Sequence, residues 1–120
     1  MMTQADATAR VAKGAKLLDE VRPGWAGRIN LDTLQMSSVC NCVLGQQDGT
    51  FYRGMQTLLH YYESRPIKGA MELGAEYGFH TGPLEMYDLN PDREDEHEAV
   101  VEVYAPLQTA WVREILLRKV

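Results

Sequence analysis

The sequence has few cysteines, no long apolar run and no excess of basic charge, and each shortage excludes a class of protein. Its two cysteines, Cys40 and Cys42, are too few for a disulfide framework. No apolar run approaches the roughly 20 residues that a helix needs to cross a bilayer. The first residues also lack the charged-then-apolar layout of a secretory signal. We therefore expect a cytoplasmic protein without a membrane segment.

Basic charge is scarce, because the chain carries a formal net charge of −5. The imbalance lies in the second half, where twelve acidic side chains stand against six basic ones, and most of the acid falls within Glu85–Glu102. Such a distribution disfavours attraction of the whole chain to DNA or anionic lipid. Direct nucleic-acid binding is left as a minor alternative. It would use basic residues of the first half, namely Arg10, Lys13, Lys16, Arg22 and Arg28.

Apolar residues at helical spacing are what the sequence has in quantity. With 120 residues, 45% of them hydrophobic, the chain can bury a core of its own as one domain. We predict a mainly α fold, a compact bundle of about five helices. It forms a single globular domain over residues 1–120, with an acidic loop at about 80–95.

The periodic stretches set the expected helix boundaries. Helices are predicted over Ala5–Val21, Phe51–Glu63, Pro66–Gly78 and Pro106–Arg118, the last with a helical approach from about Glu94. Shorter pieces are expected as a short helical turn within Ile29–Met36, capped by Asp32, and a helix over Val39–Leu44, capped by Ser37 or Ser38. The β-branched run near residues 99–104 leaves a short strand open, and Pro106 predicts a new start or a kink.

The predicted core contains both tryptophans. Trp25 and Trp111 are expected inside, together with Leu18 and Leu58, because large rings in a small domain usually pack centrally.

The pair Cys40 and Cys42 is assigned to the same core, as small buried hydrophobes without a chemical role. Metal binding by the two thiolates, helped by His60 or His80, is the alternative. It is disfavoured because zinc half-sites usually leave at least two residues between the thiols. Residues two apart on a helix also point away from each other. We expect no cofactor and no metal.

Other constellations that could carry chemistry are incomplete. Glu94 and His97 have the Glu-x-x-His spacing of di-iron helical bundles, which need two facing copies, and the sequence has one. No nucleophile elbow, phosphate loop or dinucleotide fingerprint is present. The sequence therefore predicts a protein that is not an enzyme.

Several short motifs nevertheless have a familiar form. The most specific is Cys-x-Cys-Val-Leu-Gly-Gln at residues 40–46, and the others are Arg10-Val11-Ala12-x-Gly14-Ala15, Pro23-Gly24-Trp25 and Leu107-x-x-Ala110-Trp111. In these the chain resembles small proteins of actinobacteriophages and their hosts, over most of its length except residues 80–104. The resemblance implies an origin and a size rather than a mechanism. It favours a phage-encoded accessory protein acting in the cytoplasm of an actinobacterial host.

The functional hypothesis is a non-enzymatic helical module that binds a host or phage protein. The alternative is an acidic mimic of nucleic acid, or a regulator of a nucleic-acid-binding protein, that uses the Glu85–Glu102 surface. Homo-oligomerisation is left open. The candidate binding residues are Glu94, Asp95, Glu96, Glu98, Tyr61 and Tyr62.

Overall fold

The computed structural model describes residues 2–60, 67–81 and 94–119 of the chain. Within these ranges the backbone forms five α-helices and no strand, which confirms the predicted mainly helical bundle. The helices are α1 (Gln4–Val21), α2 (Val43–Asp48), α3 (Phe51–Leu59), α4 (Ile67–Glu76) and α5 (Glu94–Arg118), and a 3₁₀ turn spans Trp25–Arg28. No helix in the described ranges combines the length and apolar character that crossing a bilayer requires.

Helix α1 begins at a reciprocal cap. The Thr3 hydroxyl accepts a hydrogen bond from the Asp6 amide at 3.1 Å, and the Asp6 carboxylate accepts one from the Thr3 amide at 3.4 Å. These bonds satisfy amides that have no partner inside the helix. The helix ends at Val21, and Gly24 turns the chain with φ at +82°. The observed span matches the predicted one within a residue.

Helices α1 and α5 lie side by side and run in the same direction. The Gln4 side-chain amide donates to the Pro106 carbonyl at 3.0 Å, near the start of α1. Near the other end, the Arg118 guanidinium donates to the Asp19 carboxylate at 2.8 Å. Since the early residue meets the middle of α5 and the late residue meets its end, the two helices are parallel.

The core centres on Trp111 of α5. Its ring packs edge-on against Trp25 at a centroid distance of 5.7 Å and stacks on Phe79 at 5.3 Å. Its indole N–H donates to the Gly78 carbonyl at 2.7 Å, so the buried polar atom has a partner. The structure confirms burial of the predicted core residues Trp25, Trp111, Leu18, Leu58 and Cys42.

Gly14 allows α4 to end against α1. A methyl group at this position would overlap the backbone carbonyl of Tyr77 and lie 3.2 Å from the Trp111 ring. Gly78, with φ at +77°, then ends the turn after α4, and the Phe79 amide donates to the Gly74 carbonyl at 2.8 Å. These features are those of a glycine C-cap. The Phe79 ring stacks on Trp111.

The helical approach predicted from about Glu94 is confirmed, because α5 begins at Glu94 and continues through Pro106 as one helix. The strand left open near residues 99–104 and a new start at Pro106 do not occur. Two shorter predicted elements are wrong. The predicted helix over Val39–Leu44 is instead a turn followed by α2, which begins at Val43. The stretch Ile29–Met36 contains turns and no helix.

Two further predictions lie partly outside the described residues. Helix α3 ends at Leu59, where His60 adopts a left-handed conformation with φ at +56°, and residues 61–63 of the predicted helix are not described. Of the predicted acidic loop, the described residues are 80–81 and 94–95. His80 and Thr81 are buried, and residues 94–95 already belong to α5.

Candidate functional site

A segment without helix crosses one side of α5 and forms one wall of a groove. This segment, residues 30–42, connects the 3₁₀ turn to α2, and we call it the strap. Local side chains stabilise its turns. The Asn30 carboxamide oxygen accepts from the Asp32 amide at 2.9 Å, and the Ser38 hydroxyl accepts from the Cys40 and Asn41 amides at 3.3 and 3.1 Å.

The Gln46 side chain, on α2, holds the two ends of the strap together. Its oxygen accepts from the Asn30 amide at 2.7 Å, and its nitrogen donates to the Asn30 and Asn41 carbonyls at 3.1 and 3.2 Å. One carboxamide therefore binds backbone atoms eleven residues apart. It replaces the pairing that a regular secondary structure would give these groups.

The Gln108 side chain, on α5, holds the middle of the strap. Its oxygen accepts from the Met36 amide and its nitrogen donates to the Leu34 carbonyl, both at 2.8 Å. Leu34 and Met36 are buried, so these two backbone groups need partners inside the protein. The strap is thus fixed to the helix at a defined distance.

A groove of about 590 Å³ lies between the strap and α5. Its size falls in the range of about 300–1,000 Å³ that ligand-binding clefts usually have. Among the described residues, the lining combines apolar side chains with amide and hydroxyl groups, and Asp32 is the one residue of a charged type. The lining residues are Asp32, Thr33, Leu34, Gln35, Met36, Ser37, Asn41, Val101, Tyr104, Ala105, Gln108 and Thr109.

The motif at residues 40–46 builds the strap rather than a reactive centre. The Cys42 thiol accepts from the Gly45 amide at 3.3 Å and donates to the Val39 carbonyl at 3.7 Å, which makes it the N-cap of α2. Gly45 packs against the backbone of Val39 and Cys40, leaving no room for a side chain. Gln46 then holds the ends of the strap.

The prediction that Cys40 belongs to the core is wrong, because this side chain is exposed. The Ser38 cap places Cys40 in a turn before α2, where an apolar face does not form. Of the two cysteines, Cys42 alone is buried.

A smaller cavity of about 90 Å³ adjoins the groove and shares Met36, Ser37 and Tyr104 with it. Most of its lining is aromatic or sulfur-containing. The remaining lining residues are Ser38, Val39, Cys42, Phe51, Tyr52, Met71, Phe79 and His80.

Burial favours the neutral form of three side chains that line this cavity. It lowers the pKa of His80 to about 4 and raises the pKa of Tyr104 to about 12. Burial also raises the pKa of the Cys42 thiol. A nucleophilic cysteine needs the opposite shift, towards the thiolate. These side chains are therefore suited to contacting an uncharged group.

The side chains of the predicted binding residues lie outside the described part of the structure. Tyr61 and Tyr62 lie outside the described residues. Glu94, Asp95, Glu96 and Glu98 form the first turns of α5, and their side chains are likewise not described. Their role in binding stays a prediction. Across the described ranges, no group of three or more potential ligand side chains could hold a metal ion.

Sequence reasoning missed the groove. Its walls depend on Gln46 and Gln108, and a glutamine gives no local signal that it will bind a distant backbone. Comparison with known proteins found no matching family model, no matching curated protein and no matching solved structure.

Proposed function

We propose that this chain is a non-enzymatic helical interaction module, which binds a segment of a protein partner in the groove between the strap and α5. The observation that carries the proposal is the fixed geometry of the groove. Two glutamine side chains hold its strap wall at 2.7–3.2 Å hydrogen-bond distances from α2 and α5. A wall ordered in advance lowers the entropy that binding must overcome.

The chemistry of the lining supports a protein ligand. Apolar side chains such as Leu34 and Val101 alternate with hydrogen-bonding groups such as Asn41 and Thr109. Protein interfaces have this combination, with apolar anchors and a hydrogen-bonding surround. The neutral state of Cys42 supports binding rather than nucleophilic catalysis.

The place of action follows from the sequence resemblance. We propose a phage-encoded accessory protein in the cytoplasm of an actinobacterial host, where its partner is a host or phage protein.

Two matched variants test the groove. Ala105 lines it, whereas Ala12 lies on α1 away from it, and both are exposed alanines in helices. Ala105→Arg should occlude the groove, and Ala12→Arg adds the same charge and bulk elsewhere. Affinity purification from host lysate, followed by mass spectrometry, should return a partner with wild type and Ala12→Arg but not with Ala105→Arg. Equal recovery by both variants would refute the groove as the binding site.

The acidic mimic is the second candidate, and the acid density of Glu85–Glu102 favours it. Its decisive variant neutralises Glu94, Asp95, Glu96 and Glu98 together. If this variant loses the partner while Ala105→Arg keeps it, the acidic surface is the site. If it keeps the partner and Ala105→Arg loses it, the mimic hypothesis is wrong.

A further inference from the structure

The small cavity continues the groove towards α3 and α4. Val39 and Tyr52 line it and remain 43% and 42% exposed, so the cavity opens to solvent beside two apolar side chains. A partner that enters the cavity could therefore also cover these two side chains. A segment lying in the groove would also reach the cavity at Met36 and Ser37, which line both.

We propose that this cavity receives one branched aliphatic side chain of the partner's segment, while a basic side chain of the same segment pairs with Asp32. The inference rests on the proposed function and adds the chemistry of the partner. It assigns the cavity as the anchor pocket and Asp32 as the electrostatic contact.

The volume of the cavity selects an aliphatic group. A cavity of about 150 Å³ holds benzene, and one water takes up about 30 Å³ of liquid. At about 90 Å³ the present cavity is smaller than the one that holds benzene, and its size suits three or four carbon atoms better than a ring. Leucine, isoleucine and valine are therefore the expected anchors, and phenylalanine and tryptophan are not.

The chemistry of the walls agrees with an uncharged anchor. Phe51, Phe79 and Met71 supply apolar surface, and burial keeps His80 and Tyr104 neutral at cellular pH. A charged side chain in this cavity would lose its hydration without gaining an opposite charge.

Charge complementarity indicates the second contact. Among the described residues that line the groove, Asp32 is the one acidic side chain and there is no lysine or arginine, and Glu102 is exposed on α5 next to the lining residue Val101. The chain as a whole carries a net charge of −5. A lysine or arginine of the partner would therefore be attracted to this groove and steered into it.

The experiment uses a displayed library of random octapeptides, selected on the wild-type protein and depleted on Ala105→Arg. Enriched peptides should combine an aliphatic residue with lysine or arginine. The affinity of one synthetic peptide is then measured for two variants. These are Val39→Glu, at the cavity mouth, and Met71→Phe, which fills the cavity. Val21→Glu is the matched control, because Val21 is also an exposed valine, at the far end of α1.

We expect Val39→Glu and Met71→Phe to lower the affinity for the peptide about tenfold or more. Val21→Glu should leave this affinity unchanged. Replacing the peptide's aliphatic anchor by alanine should lower its affinity for the wild-type protein by a similar factor. The same replacement should change its affinity for Met71→Phe little. Asp32→Asn should weaken binding and reduce its dependence on salt. If Met71→Phe does not fold, Val39→Glu decides.

Three results would overturn the inference. Aromatic anchors in the selected peptides would contradict the size argument. Equal binding by Val39→Glu and Val21→Glu would remove the cavity from the interface, while loss in Ala105→Arg would keep the proposed function. A failed selection, with a dimer in sedimentation that Val39→Glu dissociates, would make a second copy of the chain the occupant.

Discussion

Replacing Gln108 by leucine should destabilise the fold and release the strap from α5. The substitution removes two hydrogen bonds of 2.8 Å and leaves the Met36 amide and the Leu34 carbonyl without their partner. Each unsatisfied buried group lowers the free energy of unfolding by about 1–3 kcal/mol. Because water at the groove edge can bind part of the exposed backbone, we expect a total loss of about 2 kcal/mol. Glutamine and leucine have similar helix propensities, so α5 itself contributes little to the difference.

The assay is urea unfolding followed by the fluorescence of Trp25 and Trp111. With a slope of about 2 kcal/mol per molar, the loss corresponds to a midpoint lower by about 1 M. Gln56→Leu is the control, because Gln56 is a half-buried glutamine on α3 whose side chain makes no hydrogen bond within the described part of the chain. An unchanged midpoint for Gln108→Leu, or an equal shift for Gln56→Leu, would refute the role of this side chain.

Three further perturbations have expected outcomes. Gly14→Ala should lower the free energy of unfolding in urea by about 1–3 kcal/mol, because the added methyl group overpacks the site. Gly27→Ala should leave it unchanged or raise it, because no atom lies within 4 Å of the added methyl group. Burial lowers the pKa of His80 to about 4. The unfolded chain takes up this proton near 6.5, so stability should fall by up to about 3 kcal/mol as the pH drops from about 6.5 to about 4. Cys42→Ala should cost about 1 kcal/mol of helix capping, and Cys40→Ser should change stability by less than about 0.5 kcal/mol in thermal unfolding.

Each of these has a contradicting result. A Gly14→Ala variant as stable as wild type would mean that the close approach to Tyr77 is not maintained. For His80, the control is His80→Gln, and an identical pH slope in the variant would show that other groups cause the loss. Equal changes in stability for Cys42→Ala and Cys40→Ser would contradict a capping role for the Cys42 thiol.

The helices with an amphipathic stripe and a local stop signal could be predicted from the sequence. Helix α1 has both, in its apolar repeat and in the Arg22-Pro23-Gly24 stop, and its bounds are correct within a residue. The continuity of α5 is harder to predict from the sequence. The spacing of Tyr104, Leu107 and Trp111 outweighs the β-branched run before them, and the Gln4 side chain binds the Pro106 carbonyl.

The strap and the groove could not be predicted in the same way. The pattern over residues 39–44 resembles a short helix, but the thiol of Cys42 caps a helix that starts later. The partner of the strap is Gln108, which lies 72 residues beyond Met36 in the chain. No local pattern encodes a side-chain contact over that separation, because it depends on how α5 packs.

The most direct test of the fixed groove wall is amide hydrogen exchange at Met36, measured by NMR on the full chain. Because Gln108 binds this amide, we expect its exchange to be as slow as that of amides within α1. Exchange of the Met36 amide at the rate of an unstructured peptide would contradict the fixed strap, and with it the groove proposed for the partner.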